Sequence, residues 1–339
     1  MSESLLSLVR GAQLSGAVRV DVRGETVVAH AHGMANRTFG VANTIDTRFA
    51  IASGTKGFTA LVVMRLVEAG VLSLDTAVRE VLGDRLPLAD QRTTVHHLLT
   101  HRSGIGDYFD EEADLPVDAF GHTVPPHPSA SLVDTDAYLR AIAPLPAKFE
   151  PGERFSYSNS GFVVLAAMAE QAAGLRLGEL IEREVVGPAG LAGTGFLRRD
   201  ELPADAATGH LTIDGLRSNE FHVPLVGHGD GGLFTTVGDM HRLWAALFRG
   251  EVVRTDTWAE MTTALGGPVS DGLSYGLGIW LDESRGTVSV HGFDAGVGFV
   301  SVSHREQSYA FTVVTNGPRG AWPLAEQLAS ALDAGHQII

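Results

Sequence analysis

Ser53-Gly54-Thr55-Lys56 sets a hydroxyl and an amine three residues apart. The run Phe49-Ala50-Ile51-Ala52 before it is short and apolar. After it, Phe58, Leu61, Val62, Leu66 and Val67 recur at three-to-four spacing, so the tetrapeptide falls where a strand-like run gives way to a helix. Positions i and i+3 share a helical face, which places the lysine amine under the serine hydroxyl. The helix N-terminus also favours negative charge developing there. A serine alcohol is a weak nucleophile until a base takes its proton. A lysine can be that base once burial or nearby charge lowers its pKa. Tyr157-Ser158-Asn159, inside the string from Pro151 to Gly161, supplies the remaining parts. The Tyr157 phenol can relay a proton between serine, lysine and a leaving group, and Asn159 can hydrogen-bond both the lysine and a substrate amide. Ser158 reads as an N-cap of the helix that follows. Ser53, Lys56 and Tyr157 are therefore the expected catalytic residues of an acyl-enzyme mechanism.

Other clusters point to less. His30 and His32, His96, His97 and His101, and His228 beside Asp230 lack zinc-ligand spacing, and there is no H-E-x-x-H. The glycine-rich run Gly227–Gly232 lacks the lysine and threonine that grip phosphate and magnesium. We expect no metal and no cofactor.

The elements that must position these residues follow from periodicity. Val18, Val20 and Val22 alternate with Arg19 and Asp21, and Thr26–His30 follows a glycine turn, which predicts a β-hairpin. Helices are expected over Thr55–Ala69, Ser160–Ala173 and Asp239–Phe248, each stopped by a glycine. Strands return after Asp271, at Tyr275–Leu281, Thr287–His291, Val297–Ser303 and Tyr309–Thr315, and Leu324–Leu332 reads as a closing helix. The stretch Asp110–Pro128 is acidic and then proline-rich, with no periodicity. It reads as a long loop, of the kind that serves as a lid. The expected fold is α/β, of α+β type. Residues 1–75 and 270–339 build an antiparallel sheet flanked by helices, residues 76–269 form an inserted, mostly helical lobe, and the active site lies between them.

Composition narrows the partners. The 25 lysines and arginines against 40 aspartates and glutamates give a net charge of −15, which disfavours nucleic acid and anionic membranes. The absence of cysteine excludes disulfides, thiol nucleophiles and cysteine-ligated metal. Met1–Leu6 has no basic region and no long apolar segment, and no run of about 18 apolar residues occurs. The expected address is cytoplasmic, with a small-molecule or peptide-like acyl substrate as partner. The oligomeric state is not readable.

Further strings complete a pattern. His97-Leu98-Leu99-Thr100-His101-Arg102-Ser103-Gly104-Ile105 and Gly231-Gly232-Leu233-Phe234-Thr235 follow the S-x-x-K in order. With them, the chain from about residue 16 to 330 resembles the serine β-lactamase, penicillin-binding protein and related esterase family, nearest its class C branch. The resemblance implies a β-lactamase/transpeptidase-like fold and an oxyanion hole made by the N–H groups of Ser53 and Phe293. It also implies substrate contacts from Asn159, His291, Gly292 and Tyr108, the last as an aromatic wall, and a structural hydrogen-bonding role for His101. The family's third motif, Lys-Thr-Gly or His-x-Gly, is altered in Val290-His291-Gly292-Phe293. In one register His291 takes the middle place and Val290 replaces the cation; in the other His291 comes first. Without the motif lysine, which holds a β-lactam carboxylate in relatives, esters, amides or thioesters are expected substrates rather than β-lactams. Three functions remain open: a serine hydrolase, an acyltransferase using the same residues, and a non-catalytic ligand-binding relative.

Overall fold

The computed structural model describes residues 2–118 and 121–336. The alternation at the start of the chain becomes strands β1 (Gly16–Val22) and β2 (Glu25–His32). They join through Arg23 and Gly24, both at positive φ (51° and 81°), as a two-residue hairpin turn that follows the strand twist requires. Three short strands, β3 (Phe49–Ala50), β4 (Gly195–Phe196) and β5 (Leu233–Thr235), form a small separate sheet with β5 in the middle. The late strands are β6 (Ser274–Tyr275), β7 (Trp280–Asp282), β8 (Thr287–Asp294), β9 (Val297–His304) and β10 (Tyr309–Thr315). β1 pairs antiparallel with β10 along its full length, so the two ends of the chain share a seven-stranded sheet of order β2-β1-β10-β9-β8-β7-β6.

The principal helices are α1 (Ser2–Gly11), α2 (Thr55–Glu68), α3 (Thr135–Ile142), α4 (Asn159–Ala173), α5 (Val237–Phe248) and α6 (Trp322–His336). Strand alternation divides the sheet's two faces between them. Val18, Val20, Val300, Val302, Phe311 and Val313 pack against Leu5 and Val9 of α1 and Leu324, Leu328 and Leu332 of α6. Residues of the opposite parity, Ala17, Val288, Val290, Phe299 and Val314, join the larger core with α2, α4 and α5. On that face the Trp244 Nε1–H of α5 donates to Ser301 Oγ at 2.9 Å, and Ser301 is paired with Thr312 at 2.8 Å. Thus α5, within the stretch read as the inserted lobe, packs on the sheet itself.

One local expectation is corrected and one element is added. The segment Tyr275–Leu281 is not one strand: it breaks into β6 and β7 around Gly276 and Gly278. A Cβ on Gly276 would lie 2.1 Å from the Met261 carbonyl oxygen, and one on Gly278, at φ 83°, would lie 2.2 Å from Ala60 Cβ. The chain dips into close contact with Met261 and with α2 there instead of running straight. The residues before the hairpin carry a helix, α1, that no sequence reading anticipated. Within Asp110–Pro128 the described residues form no strand or helix, only an isolated bridge between Val117 and Thr123.

The fold brings β8 directly against the turn that carries Ser53. A Cβ on Gly292 would stand 1.9 Å from the Ile51 carbonyl oxygen and 2.9 Å from the Gly54 nitrogen, so backbone meets backbone with no room for a side chain. Gly292→Ala should therefore push strand and turn apart. We expect a loss of about 1–3 kcal/mol in stability, read from chemical denaturation, together with a slower acylation of Ser53 read by intact-mass spectrometry. Wild-type behaviour in both would mean that the seam yields without consequence.

Candidate active site

The chain leaves β3 and turns sharply at Ala52, a non-glycine residue at φ 45°. Such left-handed geometry costs about 1–2 kcal/mol and persists where surrounding contacts hold it. Those contacts are visible: Ile51 N–H donates to the Leu233 carbonyl at 2.9 Å, and Thr55 Oγ1 donates to Ala52 O at 2.7 Å while accepting from Leu233 N–H at 3.0 Å. The single turn Ala52–Gly54 then runs into α2, presenting Ser53 at the helix start and Lys56 one turn below it.

Lys56 is buried, 2% exposed. Its Nζ lies 2.9 Å from Ser53 Oγ, 2.7 Å from Asn159 Oδ1 and 2.7 Å from the Asp230 carbonyl oxygen. Burial lowers its pKa from the ordinary lysine value, against the pull of Asp230, Glu111, Asp107 and Asp294. Asn159 Oδ1 and the Asp230 carbonyl are acceptors only, so a neutral amine satisfies both with its two N–H bonds and turns its lone pair to Ser53.

Tyr157 sits over this amine, with Lys56 Nζ 4.9 Å from its ring centroid. Its ring packs between His101, at 4.3 Å between centroids, and Trp280, at 6.3 Å. Burial and then Glu111 raise its pKa well above the usual phenol range, while a hydrogen bond with Ser53 works the other way. Asn159 is held at the start of α4. Its N–H and that of Ser160 donate to the Asp107 carboxylate at 2.7 and 3.0 Å, and its Nδ2 donates to Phe109 O at 2.8 Å and Glu111 Oε1 at 3.0 Å. Ser158 caps the helix through Gly161 N–H at 3.0 Å and donates its own N–H to His101 Nδ1, also at 3.0 Å. Tyr108 is nearly buried beside them, its hydroxyl donating to Asp230 Oδ2 at 2.6 Å.

The pleat of β8 separates the third-motif residues. Val290 faces α2, where its Cγ1 occupies the place a side chain on Gly57 would need, and Gly292 faces the Ser53 turn. His291 lies on the other face, stacked on Trp280 at 6.0 Å between centroids. Burial holds its pKa down at about 4, so it is neutral at physiological pH. Phe293 is 58% exposed and rests edge-on against Trp322.

Two cavities meet at Ser53. The wide one is lined by aromatic residues, among them Phe155, Tyr157, Trp280, His291, Phe293 and Trp322. The narrow one runs behind Asn159, past Tyr108, Tyr138, Asp230 and Gly231 to Arg199. The acidic loop and the residue before it wall both: Phe109 and Glu111 border each cavity.

The family model for Beta-lactamase matches residues 7–336. The chain belongs to the beta-lactamase family. A penicillin-binding protein from Bacillus halodurans is 33% identical and superposes with a TM-score of 0.88, covering 96% of this chain and 99% of that one. Esterase EstB of Burkholderia gladioli is 38% identical over 194 residues, 56% of this chain and 49% of its own. D-aminopeptidase of Brucella anthropi is 29% identical over 282 residues, 80% of this chain and 49% of its own. The chain thus spans about half the length of these two curated relatives. EstCE1, described as a hydrolase with promiscuous acyltransferase activity, shares the fold at 22% identity and a TM-score of 0.79, covering 98% of this chain and 99% of that one.

All the sequence-predicted residues therefore gather around one point, with Val290 turned away. Sequence reasoning missed Asp107, which organises the start of α4, and the Asp230 carbonyl, which holds the lysine. Asp230 stood in the glycine-rich run, and that run was the one available signal. Within this beta-lactamase-family site, the Tyr108 hydroxyl offers a clean probe. Tyr108→Phe leaves the ring and removes the donor to a buried carboxylate. A loss of about 1–3 kcal/mol in stability is expected, read from denaturant melts. An unchanged midpoint would show that Asp230 finds another donor.

Proposed function

We propose that this chain is a serine hydrolase that cleaves an ester, amide or peptide-like bond through an acyl-enzyme on Ser53. The observation that carries this reading is the buried Lys56 amine, 2.9 Å from Ser53 Oγ and held by two pure acceptors. Lys56 takes the Ser53 proton as Oγ attacks the substrate carbonyl. The N–H groups of Ser53 and Phe293 receive the oxyanion. The C–O or C–N bond breaks as Tyr157 gives its proton to the leaving atom. Water then attacks the acyl-enzyme, its proton returning through Tyr157 and Lys56, and the acid leaves with Ser53 restored.

The substrate class follows from β8. Val290 brings no cation and His291 is uncharged, so this strand offers nothing to pair with a β-lactam carboxylate. Esters and amides suit it better. Acyl transfer is the second reading, favoured by the aromatic lining of the wide cavity, which gives an alcohol acceptor a place to stack; EstCE1 supplies a precedent within the fold. Against a non-catalytic binder stands the mutual contact of Ser53, Lys56 and Asn159.

Ser53→Ala should abolish acyl-enzyme formation from an activated ester. Tyr157→Phe should slow turnover by about a hundredfold with an unchanged melting transition, and ordinary kcat/KM in that variant would remove Tyr157 from the mechanism. The pH profile tests Lys56. Burial lowers its pKa and the neutral form is the base, so acylation should rise with pH and level off below the ordinary lysine value of 10.5. A profile still climbing beyond that value would argue for an unperturbed lysine. Product partitioning with added methanol decides between water and alcohol as acceptor.

A further inference from the structure

Arg199 is the one lysine or arginine among the described residues that line the narrow cavity, and the mechanism leaves it without a task. The residue is 6% exposed and its side chain lines the cavity that opens on Ser53. Its backbone is pinned, the N–H donating to Leu225 O at 3.1 Å. The guanidinium rests 5.4 Å from the centroid of the Phe234 ring. Among the described residues it makes no side-chain hydrogen bond and no ion pair within 4.0 Å, whereas its sequence neighbour Arg198 is bonded to Asp200 on the surface. A guanidinium that lines a cavity and makes no side-chain hydrogen bond among the described residues keeps its donors available to a ligand.

The part of the substrate that enters this cavity can be assigned. Tyr157, the proton donor to the leaving group, lines the wide cavity and not the narrow one. The leaving group therefore occupies the wide side, and the acyl chain the narrow side. We propose that the acyl chain of the substrate ends in a carboxylate, received by the Arg199 guanidinium as a two-pronged pair. This deepens the hydrolase reading and rests on it for the placement of the acyl chain.

Three carboxyl groups also face the cavity, and they shape the proposal. The Asp230 carboxylate is occupied by the Tyr108 hydroxyl, and Glu111 accepts from Asn159 Nδ2. Of the acids around it, Asp294 pulls most strongly on Arg199, yet it forms no ion pair with it within 4.0 Å. Burial pushes its pKa up to about 7, so near neutrality it carries a proton for much of the time. A protonated Asp294 can donate to the same ligand carboxylate. The competing explanation is that Arg199 only offsets these acids, in which case an uncharged or cationic acyl chain would be accepted equally well or better.

Three ethyl esters of matched length separate the cases: monoethyl glutarate, ethyl valerate and ethyl 5-aminovalerate, with ethanol release as the readout. We expect wild type to favour the glutarate ester in kcat/KM, chiefly through KM. In Arg199→Met the glutarate-to-valerate ratio should fall by about tenfold to a hundredfold, and Arg199→Lys should recover part of it. A structural role would lower all three esters together and leave the ratio unmoved. Calorimetric binding of free glutarate to Ser53→Ala provides an arm that needs no turnover, and it should weaken by a similar factor when Arg199→Met is added. If Arg199→Met fails to fold, Arg199→Lys carries the comparison, with a several-fold loss expected because an ammonium cannot fork. Glutarate binding without any ethanol release would overturn the hydrolase reading and keep Arg199 as a carboxylate receptor. A preference for valerate or 5-aminovalerate, or glutarate binding indifferent to Arg199, would overturn this inference.

Discussion

An amine buried in a protein interior must find partners for its hydrogens or lose its charge. Lys56 does something of both, and the architecture around Ser53 is arranged to let it. Its acceptors come from α4 and from the loop before β5, segments more than 70 residues apart in sequence, and its third neighbour is the nucleophile in the turn that leads into its own helix. Holding three separate segments within 3 Å of one nitrogen fixes α2, α4 and that loop relative to one another. The same contacts that anchor the lysine therefore set the geometry of the lobe over the sheet. The supporting hydrogen bonds are of the same kind. Asp107 gathers the first N–H groups of α4, and Thr59 Oγ1 donates to the Gly229 carbonyl at 2.8 Å, one residue before Asp230.

Much of this could be read from the chain because the relevant signals are local. The hairpin β1–β2 follows from strict alternation, and α2 follows from three-to-four spacing. The glycines expected to stop α2, α4 and α5 do sit in left-handed conformation, Gly70, Gly174 and Gly250 at φ of 69°, 68° and 72°. What escaped is non-local. Asp107 acts on residues 52 and 53 positions away, and Tyr108 reaches Asp230 across 122. No spacing rule connects such pairs. The split between β6 and β7 escaped for a related reason: Gly276 and Gly278 are dictated by Met261 and Ala60, which pack against them only in the folded chain. Arg199 carries no local sign of burial, since it sits in a run, Arg198-Arg199-Asp200-Glu201, that reads as solvated surface.

The two cavities divide labour by electrostatics as well as by shape. The wide cavity is bordered by stacked rings, an uncharged histidine and carboxylates of the acidic loop, Glu111, Glu112 and Asp114, with no lysine or arginine among its described lining residues. The narrow one sets Arg199 against buried carboxyl groups, where each charge is felt strongly. Selectivity should therefore reside behind Asn159. The acidic loop borders both; its entry is tied down by Tyr108 N–H to Ser160 Oγ at 2.9 Å, and Asp110 is held by Lys148 at 2.9 Å.

The place of β1 in the sheet, between β2 and β10, has a consequence for the chain during its synthesis. The hairpin β1–β2 emerges first, but the strand that covers the outer edge of β1 begins at Tyr309. At ribosomal rates of about 5–20 residues per second, that edge waits on the order of 15–60 s for its partner. Throughout that interval Val18 and Val20 have no sheet to lie in and the backbone of β1 is open to pairing with other chains. The turn bearing Ser53 also waits, for somewhat less time, because β8 must arrive before the nucleophile meets the strand opposite it. Maturation of the site is thus a closing event, completed only when the last strands are made.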